Sequence, residues 1–277
     1  MHVAIQEDRN LKRIEEKGLI HPTAYVSSDV EIGEDVRVGA YALIEGPGRI
    51  GKGSVIEAHA IIRPHVYLGA RNQVHPTAVL GGLPQDLGFD SKTETHLEIG
   101  NDNTFREGVT ISRATQKGGA TVIGSSNYFM NHAHFGHDGV MGDGNILASG
   151  ATLGGHCEVG DRIFFGGGVM VHQFCRIGSF AILQGLAGIN KDALPFTMIG
   201  GRPGKHYRLN LVGLRRAGID GERLRTISQA FRRLRAHESL DGLASTEELD
   251  YLRNWIAAGS RRGGILGFIE ASSRHSD

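Results

Sequence analysis

The sequence has few cysteines, few aromatic residues and no long apolar run. Its two cysteines, Cys157 and Cys175, cannot build a disulfide-rich secreted scaffold. No stretch approaches about 18 consecutive apolar residues, so no integral membrane segment is expected. Neither sign of charge is in excess, with 30 basic and 30 acidic side chains, so nucleic acid is not an expected partner. Residues 1–10 are polar and lack the apolar core of a signal peptide, which predicts a cytoplasmic protein.

Glycine, in contrast, is abundant at 41 residues, and aliphatic residues recur at every sixth position. The first uninterrupted series is Ile20, Val26, Ile32, Val38, Ile44, Ile50, Ile56, Ile62, Leu68, Val74 and Leu80. A hexapeptide repeat of this kind predicts an all-β fold, the left-handed parallel β-helix, with about 18 residues in each triangular coil. One aliphatic side chain per face points inward and stacks on its equivalent in the next coil.

The places where the period fails predict the division of the chain. We expect an N-terminal extension at 1–19, a β-helix at 20–190 and a C-terminal α-helical domain at 191–277, with helices near 209–217, 222–236 and 247–258. The period is interrupted twice within the β-helix. We therefore predict protruding loops at 82–96 and 114–120, and loops on a rigid scaffold often carry function.

Counting along the coils brings several histidines to one edge of the prism. Residue n should lie over residue n+18, roughly 4.8 Å away. The histidines that gather on this edge are His134, His137, His156 and His172. Asp138 can orient the His137 imidazole and leave its other nitrogen as a base. The bare backbone of Gly155 offers an N–H that can stabilise an oxyanion.

No serine or cysteine stands out as a nucleophile beside these histidines. Cys175 falls four places after an inward-pointing residue, where small buried side chains usually lie. Direct attack by a substrate hydroxyl or amine is therefore a simpler prediction than a covalent acyl-enzyme.

Several motifs resemble one family, the UDP-N-acetylglucosamine acyltransferases (LpxA family) that begin lipid A biosynthesis. The matching motifs are Gln-Asp-Leu at 85–87, Ala-His-Phe-Gly-His-Asp at 133–138, Leu-Gly-Gly-His at 153–156, Val-His-Gln-Phe-Cys at 171–175 and Gly-Leu-Arg-Arg at 213–216. The hexapeptide repeat alone is shared by many transferases. The motifs, the two loops and the helical tail together carry the resemblance.

The resemblance implies transfer of a 3-hydroxyacyl group from acyl carrier protein to the 3-position of UDP-N-acetylglucosamine. It assigns His137 as general base, Asp138 as its partner and the Gly155 N–H as oxyanion donor. The residues that it places in substrate binding are Gln85, Asp86, His134, His156, His172, Gln173, Asn210 and Arg216. It also implies a long acyl groove at Gly185. The expected assembly is a homotrimer with sites between subunits, without metal or cofactor beyond the phosphopantetheine of the donor.

Some positions depart from the family pattern and leave the substrates open. They are Gly88 in place of a basic residue, Ser112 in place of histidine, and Arg202 in place of asparagine. N-acylation of a 3-amino sugar nucleotide is therefore an alternative reaction. An acetyl-CoA-dependent amino-sugar acetyltransferase is another alternative among the transferases.

Two alternatives come from other functional classes. A γ-type carbonic anhydrase would bind zinc through three histidines, and the spacing of His96, His132 and His137 partly suits such a site. The insertion at 114–120 should spoil the stacking of His96 on His132. A non-catalytic binder of sugar nucleotides is the other possibility, although it would have no need of His137 and Asp138.

Overall fold

The structure is a computed structural model that describes residues 20–269, and its main body is a triangular prism of short parallel strands. In chain order the strands are β1 (Tyr25–Val26), β2 (Val30–Ile32), β3 (Arg37–Val38), β4 (Leu43–Ile44), β5 (Gly48–Ile50), β6 (Val55–Ile56), β7 (Ile61–Ile62), β8 (Val66–Leu68), β9 (Gln73–Val74), β10 (Val79–Gly82), β11 (His96–Ile99), β12 (Thr104–Phe105), β13 (Thr110–Ser112), β14 (Ala120–Ile123), β15 (Tyr128–Phe129), β16 (His134–Phe135), β17 (Val140–Met141), β18 (Ile146–Leu147), β19 (Thr152–Leu153), β20 (Glu158–Val159), β21 (Phe164–Phe165), β22 (Met170–Val171), β23 (Arg176–Ile177), β24 (Ile182–Leu183), β25 (Gly188–Ile189), β26 (Thr197–Gly200) and β27 (Lys205–Leu209). The predicted extension at 1–19 lies outside the described residues.

From β1 to β25, each strand pairs in parallel with the third strand before it, the third strand after it, or both, which builds the three faces. The first face runs from β1 to β25, the second from β2 to β23, and the third from β3 to β27. Leu43 pairs with Ile61, and Thr152 pairs with Met170, so the register advances by one coil of 18 residues. This arrangement confirms the predicted left-handed β-helix.

The inward-pointing residues of the hexapeptide repeat form the core. Ile44, Ile50, Ile56, Leu68 and Leu80 have no exposed surface. The first residue of the series is an exception, since Ile20 is 41% exposed. It lies on the first described coil, which has no described coil beneath it to cover it.

A ladder of buried asparagines runs up a second column of the core. The amide of Asn103 donates to Asn72 and that of Asn127 donates to Asn103, each at 3.0 Å, while the Asn145 amide donates to the Gly160 carbonyl at the same distance. Each amide also bonds a backbone group of a neighbouring coil. The ladder thus satisfies backbone groups at a corner where the strand pairing stops.

The two predicted loops are present, with slightly different bounds. Gly82 ends β10 and His96 begins β11, so the first loop covers 83–95. The second loop covers 113–119, because Ala120 begins β14. Ala114 was predicted to protrude with this loop, but it is fully buried. The loops also support each other, since the Gly118 N–H donates to the Glu94 carbonyl at 2.9 Å.

The C-terminal part is less purely helical than predicted. β26 continues the third face by pairing in parallel with β24, and β27 then pairs antiparallel with β26. This last coil does not follow the hexapeptide pattern, so the aliphatic period in the sequence ends before the β-helix does. Up to residue 269, three helices follow: α1 (Leu211–Arg216), α2 (Gly221–Arg235) and α3 (Glu247–Ala257). Among residues 20–269, no helix is long and apolar enough to span a bilayer.

The helices pack against the end of the β-helix through a second apolar cluster. Leu214 of α1, Ile227 of α2 and Leu249 of α3 are buried together with Leu194 and Phe196. The Tyr251 hydroxyl lies 3.1 Å from the Ser179 N–H, which donates to it. The helical part therefore covers the last coils, whose edge would otherwise be open.

Candidate functional site

The candidate site lies at the corner between the first and second faces, here called the histidine corner (136–138, 154–156 and 172–174). Asp138, His156 and Phe174 occupy equivalent positions in three successive coils. Each has a left-handed backbone, with φ values of 58°, 58° and 67°. This conformation is uncommon for residues other than glycine. The corners require it because the chain must turn sharply from one short strand to the next.

His137 and Asp138 form a hydrogen-bonded pair at this corner. His137 Nδ1 donates to Asp138 Oδ2 at 2.7 Å, and both side chains are about nine-tenths buried. A residue of the second loop, Thr115, also donates hydrogen bonds to the Asp138 carboxylate. The Thr115 N–H donates to Oδ1 at 2.9 Å and the Thr115 hydroxyl to Oδ2 at 2.8 Å. Burial acts to raise the pKa of Asp138, but Thr115 and His137 hold that pKa below its ordinary value.

This pattern orients the His137 ring for proton transfer. A carboxylate only accepts hydrogen bonds, so Nδ1 carries the proton and Nε2 keeps a free lone pair. His137 can therefore act as a base through Nε2.

His156 lies one coil above this pair and closes the site on that side. Its Nε2 is 3.6 Å from Asp138 Oδ2, and its ring meets the His137 ring edge-on at 5.2 Å. Burial lowers the pKa of His156, and the Arg261 cation acts in the same direction while Asp138 opposes it. His156 is therefore neutral near pH 7, and it can donate or accept a hydrogen bond.

His134 lies on the first face beside the corner. It pairs with Thr152 in the next coil, as the n+18 count predicts. Its Nδ1 is 2.8 Å from the Thr110 hydroxyl. Burial lowers the pKa of His134, so this ring is also neutral near pH 7.

Gly155 presents bare backbone to the His137 ring. A Cβ at this position would lie 2.6 Å from His137 Cε1 and 2.7 Å from Nε2, which is closer than any real contact. Among residues 20–269 its N–H has no hydrogen-bond acceptor. The N–H is thus available beside the base, where a developing oxyanion would need it.

The remaining predicted residues of this corner are more exposed. His172 and Gln173 lie on the coil above, and His172 Nδ1 is 3.1 Å from the Gln173 carbonyl. Gln85 and Asp86 are exposed in the first loop. Asp86 lies close enough for its negative charge to oppose the lowering of the His156 pKa. The first loop therefore reaches the corner.

Three predicted residues do not lie at the histidine corner of the same chain. Asn210 caps α1 and donates to the Phe180 carbonyl at 2.9 Å, at the corner between the second and third faces. Arg216 is exposed at the end of α1. Gly185 lies beside Gly167 at the corner between the third and first faces. In the described part of one chain, these three residues therefore lie away from His137.

Three residues of the corner escaped the sequence analysis, namely Thr115, Phe174 as a stacking partner, and Arg261. Phe174 stacks on His156 with ring centroids 4.5 Å apart. The Arg261 guanidinium lies over the Phe174 ring, 4.5 Å from its centroid. Phe174 could have been found by the n+18 count from His156. Thr115 and Arg261 lie outside the regular coils, where that count does not apply.

The cysteines and the alternative zinc ligands are also accounted for. Burial raises the pKa of both Cys157 and Cys175 to about 12, so neither thiol is a ready nucleophile. His132 lies one coil above Gly108, at the corner between the third and first faces, away from His96 and His137. Among the described residues it belongs to neither of the two histidine–carboxylate clusters.

Comparison with known proteins gives consistent results along the chain. A family model described as "Udp N-acetylglucosamine O-acyltransferase; Domain 2" matches residues 192–276. A protein of Syntrophobacter fumaroxidans, named acyl-[acyl-carrier-protein]–UDP-N-acetylglucosamine O-acyltransferase, is 39% identical over 257 residues, which cover 92% of this chain and 98% of that protein. A protein of the same name from Rhizobium johnstonii is 34% identical over 266 residues and 95% of both chains. Another protein of this name, from Anaeromyxobacter, is 45% identical over 166 residues, which cover 60% of this chain and 64% of that protein.

Solved structures agree with these relatives. The UDP-N-acetylglucosamine acyltransferase from Campylobacter jejuni matches with a TM-score of 0.83 and 31% identity, covering 91% of this chain and all of that one. The enzyme of this kind from Bacteroides fragilis gives a TM-score of 0.82 at 31% identity, covering 90% and 99% of the two chains.

Proposed function

Because the chain belongs to the acyl-[acyl-carrier-protein]–UDP-N-acetylglucosamine O-acyltransferase family, we propose that its histidine corner transfers an acyl group from acyl carrier protein to the 3-hydroxyl of UDP-N-acetylglucosamine. This is an acyltransferase reaction of lipid A biosynthesis. The observation that carries the assignment of the chemistry is the 2.7 Å bond between His137 and Asp138, with the free Gly155 N–H beside it.

In the proposed mechanism, His137 Nε2 removes the proton from the 3-hydroxyl as its oxygen attacks the thioester carbonyl. Asp138 stabilises the imidazolium that forms, and the Gly155 N–H donates to the oxyanion. The intermediate collapses by breaking its C–S bond. The departing sulfur of the phosphopantetheine then takes the proton back from His137, so no proton or electron is left over.

The acceptor is bound, in this proposal, by the polar groups around the base. The neutral rings of His134 and His156, together with Asp86 and Gln85 of the first loop, would contact the sugar. His172 and Gln173, exposed on the coil above, would contact the nucleotide. No metal or cofactor takes part, and the phosphopantetheine arm enters only as the acyl donor.

Asn210 and Arg216 join the site only if a neighbouring subunit supplies them, and we therefore include a homotrimer in the proposal. Exposed apolar side chains on the surface support an assembly. They include Leu87 of the first loop, Leu186 at a corner of the prism, Val212 of α1 and Met170 of the first face, which are 109%, 63%, 61% and 60% exposed. Light scattering of the purified protein tests the trimer directly.

The proposed acyl group is a 3-hydroxyacyl chain, for which Gly185 leaves room. Its added Cβ would come within 3.4 Å of the Gly167 carbonyl, so even a small side chain would narrow this corner. A bulky residue at 185 should shift the preference towards shorter chains.

One experiment tests both substrates. The purified enzyme is incubated with UDP-N-acetylglucosamine or its 3-amino analogue and a series of acyl carrier protein thioesters, and the product is identified by mass. An O-acylated product with the hydroxyl acceptor supports the proposal. Acylation of the amino analogue alone would replace it with N-acyl transfer, and acetyl-CoA acting as the better donor would rule out the carrier protein.

A further inference from the structure

A second cluster of titratable side chains lies on the same edge of the prism, several coils below His137. It consists of His65, Glu94 and His96. One side-chain ligand atom from each residue lies within 4.8 Å of the other two. The His65 and His96 rings meet edge-on with centroids 5.6 Å apart, and His96 Nε2 is 3.9 Å from a Glu94 carboxylate oxygen. None of these residues has a role in the proposed acyl transfer.

The backbone holds all three residues in place before any ligand binds. The Leu97 N–H donates to the His65 carbonyl at 3.0 Å, which stacks the two histidine positions on adjacent coils. The His96 N–H donates to the Gly119 carbonyl at 2.9 Å, and the Gly118 N–H donates to the Glu94 carbonyl at the same distance. The side chains thus project from fixed backbone positions, so binding of a common ligand does not have to order the backbone.

The hydrogen bonding of this cluster differs from that of the histidine corner. At the corner, the Asp138 oxygens are occupied by His137 and Thr115. In the lower cluster, the three side chains make no hydrogen bond with one another or with any described residue. His96 Nδ1 is in addition buried without a partner. Two imidazoles and a carboxylate that converge without hydrogen bonds keep their lone pairs for a cation.

We propose that His65, Glu94 and His96 bind a divalent metal ion of the zinc class. Two imidazoles and one carboxylate are a common zinc donor set, with bonds of about 2.0–2.2 Å and a fourth position left for water. Tetrahedral geometry at those bond lengths separates the ligand atoms by roughly 3.3 Å. The side chains therefore have to close by about 1.5 Å at most, which rotation of the exposed Glu94 side chain and small rotations of the two imidazole rings can supply.

The charges around the cluster do not exclude a cation. Of the two nearby guanidinium groups, that of Arg63 is paired with Glu45 at 2.7 Å. The charges of Glu94 and Arg113 act in opposite directions on the pKa of His65, and Glu94 has the larger effect. A divalent cation at the cluster therefore meets a carboxylate whose effect at His65 outweighs that of the Arg113 guanidinium.

The proposed ion would tie down the first loop. Glu94 belongs to the end of that loop, whereas His65 lies on the coil below it. The same loop carries Asp86, whose charge reaches His156. A metal bridge between Glu94 and His65 would therefore restrain the loop that contacts the acceptor, without touching the reacting atoms.

Zinc binding by the untagged, metal-free protein tests the proposal. Titration calorimetry with zinc chloride and metal analysis after dialysis should show stoichiometric, saturable binding. His96→Ala and Glu94→Gln should each weaken that binding by about 100-fold or more. Zinc should also slow hydrogen exchange in residues 83–95 of the unchanged protein but not of His96→Ala.

Two further variants separate the possible outcomes. His59→Ala removes a histidine of the same β-helix that stacks on Tyr41 instead of joining the cluster, so it should bind zinc normally. His137→Ala should also bind zinc normally. Zinc lost in His137→Ala but kept in His96→Ala would place the ion at the histidine corner and overturn the proposal. Absence of saturable binding in the unchanged protein would overturn it as well. Circular dichroism of each variant without metal excludes loss of the fold as the cause.

Discussion

Gly155→Ala should remove most of the activity while leaving the fold intact. The added methyl group would lie 2.6 Å from His137 Cε1, whereas carbon atoms make favourable contact only from about 3.5 Å. The ring must therefore retreat by roughly 0.9 Å. A displacement of that size is enough to disrupt the 2.7 Å bond between His137 and Asp138, since a bond stretched to about 3.6 Å is beyond hydrogen-bonding range.

The expected loss in kcat is about 100-fold, the usual effect of misplacing a catalytic group by about 1 Å. Overpacking should cost about 1–3 kcal/mol of stability, which a long β-helix can absorb. The assay is steady-state acyl transfer with carrier protein thioester and UDP-N-acetylglucosamine, alongside thermal unfolding. Gly267→Ala is the control, because its added Cβ meets nothing within 4 Å. A kcat for Gly155→Ala within about threefold of the unchanged enzyme would refute the proposed geometry.

Three other predictions concern the same corner. His137→Ala should lower kcat by about 100-fold or more with little change in KM, and near-normal turnover would exclude His137 as the base. Asp138→Asn should lower the free energy of unfolding at pH 7. The pKa of Asp138 is depressed in the folded protein, so its stabilising contribution is present above the unfolded pKa and is lost as the pH falls through the folded pKa. The difference in unfolding free energy between the two proteins should therefore shrink below about pH 4. Urea unfolding at pH 7 and at lower pH measures this, and a difference that stays constant contradicts it. Arg261→Gln should raise the pKa of His156, since the Arg261 charge helps to lower it; an NMR titration that shows no upward shift would mean that this charge does not reach the ring.

The regular part of the site was predictable because every coil has the same length. His134 stacks under Thr152, and Asp138 stacks under His156, at the intervals that a coil of 18 residues requires. The same arithmetic brought Gly155 against His137. Where the coil is regular, sequence separation is equivalent to distance in space, so counting residues was enough.

The insertions and the C-terminal part were not predictable in this way. Thr115 lies in the second loop, and Arg261 returns to the corner from beyond α3. The His65–Glu94–His96 cluster spans the first loop, so its members do not follow the coil repeat. No count along the chain relates such residues, because irregular segments have no fixed rise per residue.

The sequence by itself therefore determined the fold, the family and the edge that carries the histidines, since all three follow from a period of six and from local motifs. Only the tertiary structure decided what surrounds them. It showed that Thr115 bonds the Asp138 carboxylate, that Phe174 stacks on His156 with Arg261 over Phe174, and that Asn210 lies at another corner of the same chain. The physical reason is that repeating strands repeat their contacts, whereas loops and helices take positions that depend on packing against the completed prism.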